Sequence, residues 1–239
     1  MSQIHGEKIY EGKAKVLFQS KNHSEIIQYF KDDTTAFNNE KFAIKQGKGV
    51  LNNAISTFFM ELLHQNGIKT HFLKKIDDRN QLVTKVTIIP LEVIVRNIAA
   101  GSFSKKFGVE KGTKLASPLV EFSYKKDELG DPLIPNDHIT LFGIATDQEI
   151  SSIKSQALKI NEILGMEFKK CGLDLVDFKV EFGKNSSGEI ILADEISPDS
   201  CRLWEVGTQN SLDKDLFRED KGDIVEAYTR VAQKLGIQI

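Results

Sequence analysis

The sequence predicts an α+β fold. Strand-like runs gather near the amino end and again beyond Gly172, the helical stripes stand apart from them, and no repeat, low-complexity tract or long Pro/Ser linker divides the 239 residues. A chain of that length buries a substantial core, either as one large domain or as two closely packed lobes.

The elements follow in order. Ile9-Tyr10, the turn Glu11-Gly12-Lys13-Ala14, Lys15 to Phe18 and Glu25 to Phe30 read as a small antiparallel sheet. Val50 to Gln65 is helical: Leu51, Ile55, Phe58-Phe59 and Leu62-Leu63 recur at helical spacing, and Gly67 is placed to end the run. Strands return at His71 to Leu73, Leu82 to Val86 and Leu91 to Val95. Residues 126–143 are rich in turn formers, among them Gly130-Asp131-Pro132 and Pro135-Asn136-Asp137, and are expected to form a long functional loop. Thr146 with Glu149 matches a capping box, after which Ile150, Ile153, Ala157, Ile160, Leu164 and Cys171 continue one apolar stripe until Gly172. A hairpin should follow, Leu173 to Phe182 and then Glu189 to Ile196, turned by Lys184-Asn185-Ser186-Ser187-Gly188. Asp223 with Glu226 caps a last helix, whose Ile224, Tyr228, Val231 and Leu235 face inward before Gly236.

Hydrophobic content of 40% with 28% charged residues describes a folded chain, and a net charge of -2 provides no broad basic field for a nucleic-acid backbone. No apolar run reaches the ~18 residues of a membrane span, and Met1 to Gly12 contains none of signal-peptide length. With Cys171 and Cys201 as the only cysteines, the chain reads as cytoplasmic and reduced, its thiols serving as small packed side chains. Neither a nucleic-acid nor a membrane partner is expected. The five histidines lack zinc-ligand spacing and are assigned to the surface or to packing, and Trp204 to the core.

The chemistry concentrates where polar residues break an apolar pattern. Between Leu175 and Gly183, Val176, Phe178, Val180 and Phe182 take one face of a strand, and Asp177, Lys179 and Glu181 line the other. Asp194 has the parity of Ile190, Leu192 and Ile196, so it is expected on their apolar face, where a carboxylate needs a cation. A metal ion shared with Glu181 meets that need, because magnesium takes hard oxygen ligands from one or two carboxylates and completes its shell on phosphates. The alternative is a buried lysine or a set of backbone amides. Gly12, Lys13, Ala14 and Lys15 form a turn suited to phosphates, with Gly12 letting the main chain approach and the two lysines supplying charge. Arg96 and Ser102 flank the small residues Ala99-Ala100-Gly101, and Ser197 to Arg202 places a second arginine close to the proposed metal.

Together these segments resemble the phosphoribosylaminoimidazole-succinocarboxamide synthase (SAICAR synthetase) family along essentially the whole chain. The most specific stretches are Leu91 to Ser102 and Leu175 to Gly183, supported by Tyr10 to Lys15 and Ala193 to Trp204. The resemblance implies two lobes related to ATP-grasp and kinase-like architectures, residues 1–86 forming a β-rich nucleotide lobe and residues 87–239 a larger α/β lobe, with ATP in the cleft between them. It implies that Lys13 and Lys15 bind ATP phosphates, that Lys85 lies beside the nucleotide and that Lys125 reaches the γ-phosphate. Glu181 and Asp194 would hold magnesium. Arg96, Ser102, Asp199 and Arg202 would bind carboxyaminoimidazole ribotide, with Asp177 and Lys179 as catalytic groups near its reacting end. Asp33 to Asn38 looks like the family's Asp-x-Ser-Ala-x-Asp loop, with Asn38 where an aspartate often stands, and Ile98 replaces an arginine of some relatives.

The activity so implied is ATP-dependent ligation of L-aspartate to the ribotide, in a cytoplasmic homodimer. Rival expectations are a small-molecule kinase, which the same lysines and acids would serve, and a nucleotide-responsive regulator without catalysis.

Overall fold

The computed structural model describes residues 4–36 and 40–238. Strands β1 (Lys8–Glu11), β2 (Lys15–Gln19), β3 (Glu25–Phe30), β6 (Phe72–Lys75) and β7 (Asn80–Thr84) form one antiparallel sheet in the order β1-β2-β3-β7-β6. Between its strands the chain makes a separate hairpin, β4 (Asp33–Ala36) with β5 (Lys41–Ile44), and helix α1 (Lys48–Gln65). That helix starts two residues before its apolar pattern does, after Gly47 in the left-handed region at φ 89°, and Gly67 at φ 74° follows its end as expected.

The second sheet is ordered β11-β10-β8-β9, from β8 (Thr87–Ile98), β9 (Lys114–Tyr124), β10 (Leu173–Lys184) and β11 (Ile190–Leu192), with β12 (Cys201–Glu205) also paired to β10. β11 and β12 share one edge of β10: β11 pairs with Phe182 to Lys184 and β12 with Leu173 to Phe178. Between them the chain leaves the sheet. The Ala193 amide donates to the Glu181 carbonyl at 2.9 Å, the Lys179 amide donates to the Ser200 carbonyl at 2.9 Å, and residues 194–199 loop out between these two bonds.

Helices α2 (Gly101–Phe107), α3 (Asn136–Leu141), α4 (Asp147–Lys170), α5 (Asp215–Arg218) and α6 (Ile224–Lys234) complete the chain. The capping box on α4 is present in both directions, and the Asp223 side chain caps α6 by accepting from the Val225 amide at 2.8 Å. Residues 126–143 are not one open loop. They contain a 3-10 turn, Asp127–Leu129, and α3, whose Ile139 is fully buried and ties the segment to the core. β9 was not anticipated either: it is the outer strand, largely exposed, and Pro118 interrupts any alternation, which an edge strand tolerates.

One large apolar cluster joins α1, α4 and α6 to the inner face of the second sheet, through Phe59, Phe168, Val180 and Tyr228 among others. Trp204 is buried in a smaller cluster with Ile98, Ala100 and Val176. Cys201 is buried, Cys171 half-buried, and both are free. No helix among the described residues is long and apolar enough to cross a membrane.

Candidate active site

The site grows from the polar face of β10. Cross-strand register sets Asp177 opposite Arg96 and Glu181 opposite Glu92 on β8, while Arg202 of β12 flanks Asp177 on the other side. Asp177 therefore sits between two guanidiniums: Arg96 Nη1 donates to Oδ2 at 2.8 Å, and Arg202 Nη1 donates to the same oxygen at 2.9 Å. Each arginine is held at its other end, Arg96 by Glu121 and Arg202 by Asp215 at 2.8 Å. Gly101, at φ 54°, makes room here, since a Cβ on it would fall 2.5 Å from Arg202 Nη2. Ser102, exposed, follows Gly101 in the first turn of α2.

At the other end of the face, lysines and carboxylates alternate. Lys125 Nζ reaches Glu181 Oε2 at 2.5 Å, Lys179 pairs with Glu92, and Lys15 crosses from the first sheet to pair with both Asp194 and Glu195. Burial, with the Asp194 charge behind it, pushes Glu181 above the ordinary carboxylate range in spite of Lys125. Burial likewise opposes charge on Asp194, but the Lys15 ammonium outweighs it and holds that carboxyl well below its usual range. Glu195, buried beside Asp194, is pushed up to about 7. Desolvation works against Lys15 and Lys179 too, yet their carboxylate neighbours raise both, so both remain cations.

Asp194 does not occupy the apolar face that its parity implies. Strand pairing ends at Leu192, and the outward loop of 194–199 turns Asp194 toward Lys15 while Ile196 drops into the core. Glu181 and Asp194 are consequently neighbours, both under 10% exposed. No group of three or more His, Cys, Asp or Glu among the described residues is arranged to hold a metal unaided.

The remaining expected residues are placed less uniformly. The Gly12 amide donates to the Lys15 carbonyl at 2.8 Å and closes the β1–β2 turn, from whose tip Lys13 reaches Asp127 at 2.9 Å; the Ala14 carbonyl accepts from the Lys31 amide. Lys13 thereby lowers the Asp127 carboxyl. Lys85 is exposed in the connection between the two sheets, and no hydrogen bond or ion pair among the described residues ties its side chain to the other site residues. Asp199, expected at the ribotide, faces the interior instead, its oxygens taken by Lys48, Asn52 and Tyr228. Asn38 lies outside the described residues.

The SAICAR synthetase family model matches residues 8–235. The chain belongs to the SAICAR synthetase family. It is 53% identical over 233 residues to a phosphoribosylaminoimidazole-succinocarboxamide synthase of Wolbachia pipientis subsp. Culex pipiens, covering 97% of both chains. The crystal structure of the Ehrlichia chaffeensis synthase superposes with a TM-score of 0.95 at 52% identity, covering 98% of this chain and 100% of that one. A SAICAR synthetase in complex with ADP matches with a TM-score of 0.92 at 49% identity, over 95% of this chain and 96% of that one. As a SAICAR synthetase family member the chain is an ATP-dependent ligase of purine biosynthesis, and the α+β class read from its sequence holds.

Sequence reasoning missed Glu92, Glu121, Glu195 and Lys48. Glu92 was findable: within Leu91 to Val95 it shares a face with Arg96, and pairing β8 with β10 puts it beside Glu181. Lys48 left no local signal, because its partner Asp199 is remote in sequence.

Proposed function

We propose that the chain joins the amine of L-aspartate to the carboxylate of carboxyaminoimidazole ribotide, converting ATP to ADP and phosphate and giving SAICAR. The observation that carries the reading is the order of charges along β10, with guanidiniums at Asp177, carboxylates at Glu181 and Lys179 between them. Two residues of extended strand, from Asp177 to Lys179, span about 7 Å, and the arginine side chains add to that reach. That distance lets one ribotide lay its phosphate on Arg202, Arg96 and Ser102 and its imidazole carboxylate beside Lys179.

ATP lies between residues 1–86 and 87–239, its phosphates toward Gly12, Lys13, Ala14, Lys15 and Lys125 and its nucleoside near Lys85. Two adjacent carboxylates with hard oxygens suit a magnesium ion that takes its other ligands from phosphates. Glu181 and Asp194 would hold such an ion, which would supply neutralisation of charge on the transferring phosphoryl group. A free carboxylate is a poor electrophile because oxide would have to leave. Transfer of the γ-phosphoryl to a carboxylate oxygen makes an acyl phosphate, whose carbon the aspartate nitrogen attacks; phosphate then departs with the C–O electron pair and the nitrogen loses a proton.

Lys179, kept protonated by its acidic neighbours, serves as a fixed cation and not as the base. Asp177, between the two arginines, aims them at the ribotide phosphate. Asn38 is assigned to the incoming aspartate. The enzyme works as a cytoplasmic homodimer, a compartment that suits two free cysteines.

Purified protein incubated with ATP, magnesium, the ribotide and aspartate, each omitted in turn, should form product only with all four present. ADP release that ignores aspartate would make the protein a kinase. Glu181→Gln and Asp194→Asn should each lower kcat by about a hundredfold or more, and near-normal, magnesium-dependent turnover in either variant would remove the metal assignment.

A further inference from the structure

The loop of residues 194–199 carries Asp194 and Glu195 on one limb and Asp199 on the other, and three side chains from two remote helices converge on Asp199. Lys48, the first residue of α1, is fully buried and places Nζ 2.5 Å from Oδ2. Asn52, one turn along the same helix, donates to that oxygen at 2.8 Å, and the Tyr228 hydroxyl of α6 donates to Oδ1 at 2.7 Å. The Asp199 side chain is only 4% exposed, and Lys48 holds its carboxyl well below the usual range against the cost of burial. Both lone-pair regions facing the protein are filled, so this carboxylate has little left to offer a substrate.

The turn transmits that anchorage. The Asp199 amide donates to Ser197 Oγ at 3.2 Å, the Ser197 amide to Ser200 Oγ at 3.1 Å, and Ser200 Oγ donates in turn to the Glu195 carbonyl at 3.1 Å. Ile196 is pinned in the apolar core. The limb bearing Asp194 and Glu195 is therefore fixed on its far side by Asp199, whose partner Lys48 cannot let go without leaving a buried ammonium unpaired.

We propose that Lys48 is a positioning residue for the divalent cation, acting through Asp199 to set the direction of the Asp194–Glu195 limb. The inference rests on the metal assignment made above. A purely structural lysine would affect stability and every kinetic constant alike, whereas a positioning lysine acts selectively on the metal.

Binding of Mn²⁺ in the presence of ADP, followed by loss of the free-ion paramagnetic signal, supplies a readout independent of turnover. Tyr228→Phe deletes one hydroxyl, and the pair Lys48→Met with Asp199→Asn removes both members of the buried ion pair together, so neither is left facing the other's empty place. Each should weaken Mn²⁺ binding by about tenfold while KM for the ribotide stays within about twofold. Unchanged Mn²⁺ affinity in both proteins, or a parallel loss of metal affinity, ribotide KM and melting temperature, would overturn the proposal. Asp194→Asn is the control. If it leaves Mn²⁺ binding intact the metal assignment itself fails, whereas if it abolishes binding and the Lys48 and Tyr228 variants do nothing, only the positioning role fails.

Discussion

The two sheets meet α1 in different ways. Toward the second sheet α1 presents Leu51, Ile55, Phe59, Met60 and Leu63, all part of the main apolar cluster, with the Phe59 ring tilted 45° against that of Phe168 of α4 at a centroid distance of 4.7 Å. Toward the first sheet it presents Asn53, Ser56 and Thr57. There Gln81 Nε2 donates to the Asn53 carbonyl and to Thr57 Oγ1, and Gln28 lies opposite Gln81 in register. Val16, Ile26, Ile27, Phe30 and Val83 of the first sheet are buried but stand outside the main cluster. Helix α1 packs its apolar side into the main cluster with α4 and α6. The comparison teaches that the sheet carrying Lys15 is joined largely through a polar layer, with Phe72 of β6 its one strand residue in the main apolar cluster, and the sheet carrying Glu181 through close-packed hydrocarbon. Apolar burial scales with area and resists separation, whereas polar contacts are exchanged against water at small net cost.

The sharpest way to break this comparison is to truncate one residue from each layer. Phe59→Ala should lower unfolding free energy by about 3–5 kcal/mol in urea titrations, and Gln81→Ala by only about 1 kcal/mol. Equal losses would mean that the polar layer is as tightly coupled as the core.

A second handle is His71, which is buried where β6 meets the end of β11, its amide donating to the Leu192 carbonyl at 2.7 Å. Burial, helped by the Lys15 charge, lowers its imidazole from 6.5 to about 3. The folded state thus refuses a proton that the unfolded chain accepts below pH 6.5. His71 adds nothing against stability at pH 7, and stability is lost as pH falls from 6.5 toward 3. Between pH 7 and pH 5 the wild type should lose about 2 kcal/mol more than a His71→Gln variant, measured by denaturant midpoints at the two pH values. An equal loss in both proteins would remove His71 as the cause.

The smallest expected effect is at the start of α4. Thr146→Ala removes half of the α4 capping box and should cost about 1 kcal/mol without changing turnover, because α4 touches the apolar face of the second sheet and not its polar face.

Elements whose causes are local were legible. The α4 capping box, the glycine after α1 and the alternation of β10 from Asp177 to Phe182 each depend on residues within a turn or two of one another and were found where the pattern put them, whereas a bulge between Leu175 and Asp177 turns Val176 away from the face of Phe178 into the cluster of Trp204. The β4–β5 hairpin, β9 and β12 were not, since their pairing depends on partners elsewhere and their own alternation is weak or interrupted. In the site, Asp177, Lys179 and Glu181 were read correctly onto one face, whereas Asp194 was assigned to the wrong one. Parity holds only while a strand stays paired, and nothing local announces that pairing stops after Leu192.

The sequence by itself therefore determined the family, the α+β class and which side chains carry charge on an otherwise apolar strand, because short-range periodicity and motif chemistry are written in adjacent residues. Only the tertiary structure decided which lysine answers which carboxylate, that Asp199 is spent on Lys48 and that α1 shares its apolar cluster with α4 and α6. Those outcomes depend on burial and on contacts between distant segments, and the desolvation cost that makes them firm exists only once the chain has closed around them.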